Sequence, residues 1–405
     1  MAVGRAVVVT GMGAVSAAGT GAEVLWQAAK AGHSHIGEVE FSRPYAGRVK
    51  LGARVPNFDP SFIGKDLLPY CDFFAQYALG AADEAVKSAG LSQDGLAGPR
   101  TAVFLGTGIG GAHALDDGLH RVYQMQTRPE LLSVPRLIPS AGPAALTIRY
   151  GCTGPSLAIA SACSSASQAI GLGLQLIRAG VVDRALVGGA EACLTNGGQV
   201  AWENLRVLTN TKCRPFSKNR NGMNLGEGAA MFVLETAEAA EARGAQPLCE
   251  LAGYGTSTDA FDPVRPNAEG AMLAMRLALE DAAMAPDDID YVNAHGTATA
   301  MNDMTESEAI GQVFGARGAS IPISSTKPIH GHALGASGAL ELVCAINAMR
   351  DSVAPPTINW EQADPKCPVD CIPNVARPMP INTVMSNSFA FGGINAVLVV
   401  RKRAA

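Results

Sequence analysis

The sequence predicts an α/β protein built from two similar halves. Apolar strand patterns alternate with helix patterns along the chain, which favours mixed or parallel sheets covered by helices. Three segments of the first half also recur, in the same order, in the second half. No Pro-, Gly- or Ser-rich linker separates the halves, which we place at residues 1–250 and 251–405. We therefore expect one fused core with a central pair of helices between two sheets.

The repeated segments define the main elements in chain order. The first pair reads as an amphipathic helix, a turn, a strand and a Gly/Thr loop. The second pair reads as a helix rich in small and apolar residues, and the third as a buried strand. These pairs are 78–108 with 274–297, 166–180 with 336–350, and 226–235 with 392–402.

Composition limits the function classes. The 405 residues carry a formal net charge of −5 and no long Lys/Arg run, which argues against nucleic acid as the main partner. There is no run of about 18 apolar residues, and residues 1–15 lack a signal-peptide pattern, so we expect no membrane partner and a cytoplasmic location. Nine cysteines without CxxC spacing suit reduced thiols and no metal site. We interpret Cys367 and Cys371 as structural.

Cys163 lies where a strand pattern gives way to a helix pattern. Residues 157–160 form a short apolar run, and the helix pattern starts at Ala166. A helix N-terminus favours a thiolate, and the small neighbours Ser161 to Ser165 leave the sulfur approachable. The alternative is a buried cysteine that acts as a small hydrophobe. Local pattern alone leaves the two readings balanced.

Two histidines strengthen the functional interpretation of Cys163. His295 follows a predicted strand at 289–292, at a loop position where α/β folds place functional groups. His332 precedes the second repeat helix, near the place that Cys163 occupies in the first half. Each alone reads as a structural histidine, but together they suggest two N–H donors for a developing oxyanion.

The motifs together resemble the β-ketoacyl-acyl-carrier-protein synthases of the elongating, synthase II-like type. The resemblance rests on "SACSSA", "NAHGTAT", "STKPIHGHALGASGALE" and "SNSFAFGG", with "RPFSKNRNGMNLGEGAA" and "GTGIGG" in support. It implies a thiolase-like fold, a duplicated five-layered α-β-α-β-α core, and a homodimer. It also implies a decarboxylative Claisen condensation of an acyl group with malonyl carrier protein in fatty acid, specialised lipid or polyketide synthesis. The substrates would be carried on phosphopantetheine, with no separate cofactor.

The resemblance assigns roles to eight residues of this chain. Cys163 would be acylated, while His295 and His332 would assist decarboxylation and stabilise the enolate. Lys327 and Glu341 would hold that site together. The N–H groups of Cys163 and Phe391 would form the oxyanion hole, and the Phe391 side chain would gate the acyl pocket. Thr297 and Thr299 would hydrogen-bond the phosphopantetheine arm. Each assignment has a structural alternative. Lys327 and Glu341 could form only a buried ion pair, and Phe391 could only pack in the core. The two threonines could only hydrogen-bond the backbone of their own loop.

Three departures separate the chain from housekeeping synthases. Housekeeping synthases often carry a cluster of basic residues where this chain has 64–74, and of that cluster mainly Lys65 is left here. Docking of the carrier protein would then also depend on Arg206 or Arg128. The loop "DAFDPVRP" places Asp262, Pro263 and Val264 near the pantetheine channel. The segment 138–156 is shorter than usual, and Ala390 replaces a glycine at the gate. The shortening, with "SACSSA" and "SFAFGG", is similar to nodulation protein E and other specialised relatives. The three departures together favour a dedicated pathway.

Two other functions remain open on sequence grounds. A CoA-dependent thiolase shares the fold but uses a second cysteine where this chain has His332. A chain-length-determining partner subunit of a heterodimeric synthase would lack the active-site cysteine. Cys163 and both histidines argue against each, although the chain itself could pair with a second synthase.

Overall fold

The structure is a computed structural model that describes residues 5–403. Residues 1–4 and 404–405 lie outside the described residues. Residues 1–4 belong to the predicted N-terminal half and to the stretch 1–15, which lacks a signal-peptide pattern. Within 5–403 no helix is long and apolar enough to cross a membrane.

The first half contributes five neighbouring strands to the large sheet, together with helices that cover them. Its strands are β1 (Val7–Ser16), β2 (Gly19–Thr20), β3 (Gly37–Glu38), β4 (Leu51–Ala53), β5 (Thr101–Gly106), β6 (Ser156–Ile159), β7 (Arg184–Glu191), β8 (Leu225–Gly226) and β9 (Gly228–Thr236). Its helices are α1 (Ala22–Ala31), α2 (Phe73–Ser88), α3 (Ala112–Tyr123), α4 (Ser133–Leu137), α5 (Ala141–Tyr150), α6 (Ser165–Arg178), α7 (Asn196–Asn204) and α8 (Ala237–Ala242).

The second half repeats this plan with fewer additions. Its strands are β10 (Cys249–Thr258), β11 (Tyr291–Asn293), β12 (Ile323–Ser324), β13 (Val353–Ala354), β14 (Arg377–Pro378), β15 (Thr383–Ala390) and β16 (Ile394–Arg401). Its helices are α9 (Ala268–Asp281), α10 (Ala300–Phe314), α11 (Lys327–His330) and α12 (Ser337–Asp351). Because β10 begins the second set of strands, we propose that the halves divide beside its start, close to the residue 250 suggested by the sequence.

Strand order shows the duplication directly. The order is β6-β5-β7-β9-β1 in the first half and β12-β11-β15-β16-β10 in the second. Both halves thus follow the order third, second, fourth, fifth, first along the chain. The four pairings of each half also match in direction. β5 is parallel to β6 and β7 just as β11 is parallel to β12 and β15. β9 is antiparallel to β7 and β1 just as β16 is antiparallel to β15 and β10.

The two sheets join through their first strands. β1 and β10 pair antiparallel, with Val8 opposite Glu250 and Val9 opposite Cys249. Hydrogen bonding therefore runs continuously through both halves. This join fixes the two halves relative to each other without a linker.

Three apolar clusters fill the space between five layers of helices and sheets. The central cluster contains Ile170 and Leu174 of α6, Leu340 of α12, and inward-facing residues of both sheets. A second cluster packs α2 and α5 against the outer face of the first sheet, and a third packs α9 and α10 against the outer face of the second. Strands buried on both faces explain the continuous apolar runs in the sequence. The layers are helices, sheet, central helices, sheet, helices, so the predicted fold class is confirmed.

Candidate active site

Cys163 lies in a single 3₁₀ turn, Ala162–Ser164, between β6 and the first residue of α6. Its side chain is only 5% exposed. The Ser164 hydroxyl lies 2.9 Å from the carbonyl oxygen of Ser388 and 2.7 Å from that of Ile394. This contact ties the cysteine turn to the β15–β16 hairpin of the other half.

The structure brings Cys163 and the two predicted histidines together. The Nε2 atom of His332 lies 3.0 Å from the Sγ atom of Cys163. The rings of His295 and His332 are 5.5 Å apart and meet edge to face at 82°. One ligand-type atom from each of the three side chains lies within 4.8 Å of the others. The Cys163 turn of the first half and the two histidine loops of the second half thus meet at one point.

Lys327 fixes the tautomer of His295. Its Nζ atom lies 3.3 Å from the Nδ1 atom of His295 and also donates to the His295 carbonyl oxygen. A lysine ammonium has donors only, so Nδ1 must accept and the ring proton must be on Nε2. His295 therefore offers an N–H donor through Nε2. The hydrogen bond from Lys327 thus assigns the ring proton to Nε2.

Lys327 forms an ion pair with Glu341. Both side chains are completely buried, and the ammonium donates to Oε1 of Glu341. Burial raises the pKa of Glu341 to about 7, and the neighbouring Lys327 acts in the opposite direction. The predicted pair is thus formed, and it fixes the position of the ammonium that contacts His295.

Burial keeps the reacting groups neutral. It raises the pKa of the Cys163 thiol to about 12, although Lys327 lowers it in part. Burial and Lys327 hold the pKa values of His295 and His332 well below 6.5. A helix N-terminus favours a thiolate, but desolvation is the largest effect on the pKa of Cys163 here. The resting pair is a thiol next to a neutral imidazole.

A cavity of about 360 Å³ opens onto these groups. Cys163, His295 and His332 form its inner end, and Thr297 and Thr299 line its wall. The two threonine hydroxyls are 3.0 Å apart and hydrogen-bond to each other. The loop that carries them turns tightly, because Gly296 before Thr297 and Ala298 between the threonines have φ values of 42° and 65°. Both predicted threonines therefore face the access route to the sulfur.

Phe391 stands at the tip of the β15–β16 hairpin, on the wall of the same cavity. Ala390 pairs with Ile394, which leaves Phe391, Gly392 and Gly393 as the connecting residues. The φ values of Gly392 and Gly393 are 82° and 68°, which favour glycine. A Cβ atom on Gly393 would also come within 2.5 Å of Asp259.

The "DAFDPVRP" loop packs against this hairpin. The Gly392 N–H donates to the Pro263 carbonyl oxygen at 2.8 Å. Val264 lines the cavity, whereas Asp262 bonds within its own loop and pairs with Arg265. Those bonds lower the pKa of Asp262 to about 2. Of the three residues named from the sequence, only Val264 reaches the cavity wall.

The predicted docking residues do not lie together around the cavity. Arg206 lines its mouth, with a left-handed φ of 57°. Lys65 and Arg128 are exposed but do not line the cavity. Charge pattern alone could not separate these three side chains, because their distances from the cavity depend on the fold.

Sequence reasoning missed the residues that hold the two histidine loops. The buried Glu306 of α10 accepts the N–H groups of His295 and Gly296, each at 2.8 Å. The Ser337 hydroxyl lies 2.7 Å from Nδ1 of His332. Burial raises the pKa of Glu306 to about 7, and the donated N–H groups oppose that rise. The only available signal was an acidic residue in a helix that directly follows the His295 loop.

A third residue that the sequence did not reveal, Glu191, links the two halves near Cys163. Glu191, at the end of β7, accepts the N–H groups of Gly108 at 2.6 Å and Gly335 at 3.0 Å. It is fully buried, and burial raises its pKa to about 7. Glu191 thereby joins the "GTGIGG" loop to the turn before α12.

All nine cysteines are buried and free, including Cys367 and Cys371 in the outer core.

Comparison with known proteins agrees with this site. Residues 4–240 match the family "Beta-ketoacyl synthase, N-terminal domain", and residues 248–361 match "Beta-ketoacyl synthase, C-terminal domain". The chain is 41% identical to nodulation protein E of Rhizobium sp. (strain N33), over 98% of this chain and 99% of that protein. It is 37% identical to 3-oxoacyl-[acyl-carrier-protein] synthase 2 of Staphylococcus aureus (strain N315), over 99% of each chain.

Solved structures show the same similarity. The ishigamide ketosynthase/chain length factor superposes with a TM-score of 0.95 and 34% identity, covering 99% of this chain and 100% of that one. A type II PKS acyl-carrier protein in complex with its ketosynthase, AntDE:AntF, gives a TM-score of 0.91 and 30% identity with the same coverage.

The chain belongs to the β-ketoacyl synthase family. It is a condensing enzyme of the acyltransferase type, so the predicted family, fold and enzyme class are confirmed.

Proposed function

We propose that this chain carries out a decarboxylative condensation in which Cys163 holds the acyl group and the two histidines activate the malonyl thioester. The observation that carries the proposal is the convergence of three groups in one cavity. The Cys163 sulfur is 3.0 Å from His332, and Lys327 directs the Nε2–H of His295 as a donor. A nucleophile and a preorganised donor are the parts that the two half-reactions need.

The first half-reaction transfers the acyl group to Cys163. The thiol proton passes to the neighbouring Nε2 of His332 as sulfur attacks the thioester carbonyl. The carbon–sulfur bond to the carrier then breaks, and the released carrier thiolate takes up that proton. The N–H groups of Cys163 and Phe391 are assigned to the oxyanion of the tetrahedral intermediate. Neutral starting groups avoid a buried charge in the resting site.

The second half-reaction forms the carbon–carbon bond. Loss of CO₂ from the malonyl thioester leaves an enolate, whose oxygen accepts a hydrogen bond from the Nε2–H of His295. It accepts a second from His332 once the proton of that neutral ring has moved from Nδ1 to Nε2. The enolate carbon attacks the acyl carbonyl, and the carbon–sulfur bond to Cys163 breaks. The Cys163 thiolate takes a proton from solvent through His332, so one proton is consumed per CO₂ released. Because this site supplies donors where charge develops, no strong base is needed.

Carrier-bound substrates suit the shape of the site. The cavity that contains Cys163 is also lined by Thr297, Thr299 and Arg206, side chains that an arm ending in a thioester would contact. One neighbour is a ketosynthase in complex with an acyl-carrier protein, which supports the same partner here. We assign the arm to the threonines and the acidic carrier to Arg206, with weaker support for Lys65 and Arg128. No separate cofactor or metal enters these steps.

We also propose a homodimer in the cytoplasm. The edge strand β6 has no partner on its outer side among the described residues, and Leu157 on it is half-exposed. An open edge with apolar side chains favours pairing with another copy. A related ketosynthase/chain length factor pair makes a heterodimer the alternative outcome. Size-exclusion chromatography with light scattering distinguishes a dimer from a monomer.

The proposed reaction is tested with purified chain, acyl carrier protein loaded with acyl groups of different lengths, and malonyl carrier protein. We expect equal amounts of CO₂ and β-ketoacyl carrier protein. Product from acetyl-CoA alone would instead support a thiolase. If the chain forms product only after a second synthase is added, the partner-subunit function is supported.

A further inference from the structure

The two histidines of the site face different kinds of partner through Nδ1. The Nδ1 atom of His295 lies 3.3 Å from the ammonium of Lys327. An ammonium has donors only, so this neutral ring keeps its proton on Nε2. The Nδ1 atom of His332 instead lies 2.7 Å from the hydroxyl oxygen of Ser337. A hydroxyl both donates and accepts, so it is compatible with either tautomer of His332.

The backbone of His332 is held on both sides. Its N–H donates to the carbonyl oxygen of Asn224 at 2.8 Å, and its carbonyl oxygen accepts the N–H of Gly226 at 2.9 Å. His332 and Ser337 are both buried, and Ser337 is the first residue of α12. Rotation of the Ser337 hydroxyl can therefore reverse its hydrogen bond to Nδ1 without movement of the ring.

The proposed reaction needs both tautomers of His332. The sulfur of Cys163 lies 3.0 Å from Nε2, which has to accept the thiol proton during acylation, so the neutral resting ring carries its proton on Nδ1. Donation to the enolate needs the proton on Nε2. The change adds one proton at Nε2 and removes one from Nδ1, with water as the donor and the acceptor, so the ring stays neutral.

We propose that Ser337 is a positioning residue whose hydroxyl accepts from Nδ1 of His332 during acylation and donates to Nδ1 during condensation. The proposal rests on the proposed function. Ser337 acts through the His332 ring and contacts no substrate. His295 is then a fixed donor, whereas His332 serves first as a base and afterwards as a donor.

The variant Ser337→Ala should affect the two half-reactions unequally. His332 becomes positively charged when it takes up the thiol proton, and hydrogen bonds of charged groups contribute more than those between neutral groups. We therefore expect acylation of Cys163 to fall by about 10- to 100-fold, and CO₂ release by enzyme acylated beforehand to fall by roughly 3- to 10-fold. Single-turnover assays measure the two rates separately.

Ser167 supplies the matched control. The internal repeat aligns Ser167 of α6 with Ser337 of α12. The Ser167 hydroxyl is also buried and hydrogen-bonded, at 2.8 Å from that of Ser388. Ser167→Ala therefore removes an equivalent buried hydroxyl that has no contact with His332. We expect both half-reactions of this variant to stay close to wild type, with urea unfolding as the measure of stability for both alanine variants.

NMR of protein labelled with ¹⁵N-histidine reads the tautomer directly, and His332→Gln identifies the signals of the His332 ring. We expect a protonated Nδ1 in the resting wild type and a protonated Nε2 after acylation of Cys163. The same protonated nitrogen in both states, equal losses in the two half-reactions of Ser337→Ala, or equal losses for Ser167→Ala and Ser337→Ala would overturn the proposal. Absence of acylation of the wild type by every carrier would overturn the proposed function itself.

Discussion

Replacing Lys327 by methionine should separate stability from catalysis. The substitution keeps a long side chain but removes an ammonium that contacts both Glu341 and His295. Breaking a buried pair by deleting one partner costs about 3–5 kcal/mol. The cost should be smaller at pH 6 than at pH 8. Without Lys327 the pKa of Glu341 rises further, and the protonated carboxyl carries no buried charge.

Catalysis should fall for a different reason. Without the Lys327 donor, the Nδ1 atom of His295 can carry the proton, and the Nε2–H that faces the substrate is lost. Loss of one such donor costs a factor of about 10²–10³. We expect this decrease in malonyl decarboxylation and a smaller decrease in acylation of Cys163, because the sulfur contacts His332 and not His295.

The double variant Lys327→Met/Glu341→Leu supplies the control. Removing both charged partners should recover most of the stability lost in the single variant. It should not recover decarboxylation. Urea unfolding at pH 6 and pH 8, with separate acylation and CO₂-release assays, gives both quantities. If the double variant regains activity along with stability, Lys327 acts only as a structural ion pair.

Three other predictions follow from the described geometry. Alkylation of Cys163 by iodoacetamide should rise steadily from pH 6 to pH 9, because burial raises its pKa to about 12; a plateau near pH 7 would reveal a thiolate–imidazolium pair. Glu306→Leu should destabilise the fold by about 2–3 kcal/mol in urea titrations, because two buried N–H groups lose their acceptor; a change below 0.5 kcal/mol would contradict that role. Arg206→Glu should raise KM for the carrier more than Lys65→Glu does, since only Arg206 lines the cavity; equal effects would reject that assignment.

Sequence reasoning was most successful where repeated patterns constrain the fold. The three repeated pairs identify α2 with α9, α6 with α12, and β9 with β16, and these occupy matching positions in the two halves. Because strand order and direction are the same in both halves, equivalent loops meet. The approach of His332 to Cys163 follows from that symmetry.

Features that depend on burial could not be read from the sequence. Glu306 and Glu191 look like ordinary polar residues, yet each accepts two or more backbone N–H groups in the interior. The neutral state of Cys163 depends on complete desolvation, which a helix-start pattern does not reveal.

Intact-protein mass spectrometry on wild type and Cys163→Ala tests the central claim most directly. Each protein is mixed with acyl carrier proteins of several lengths and then with malonyl carrier protein. We predict that only wild type gains the acyl mass and that malonyl carrier protein removes it as a β-ketoacyl product. An acyl adduct of equal yield on Cys163→Ala, or an adduct that malonyl carrier protein never discharges, would contradict the proposed role of Cys163.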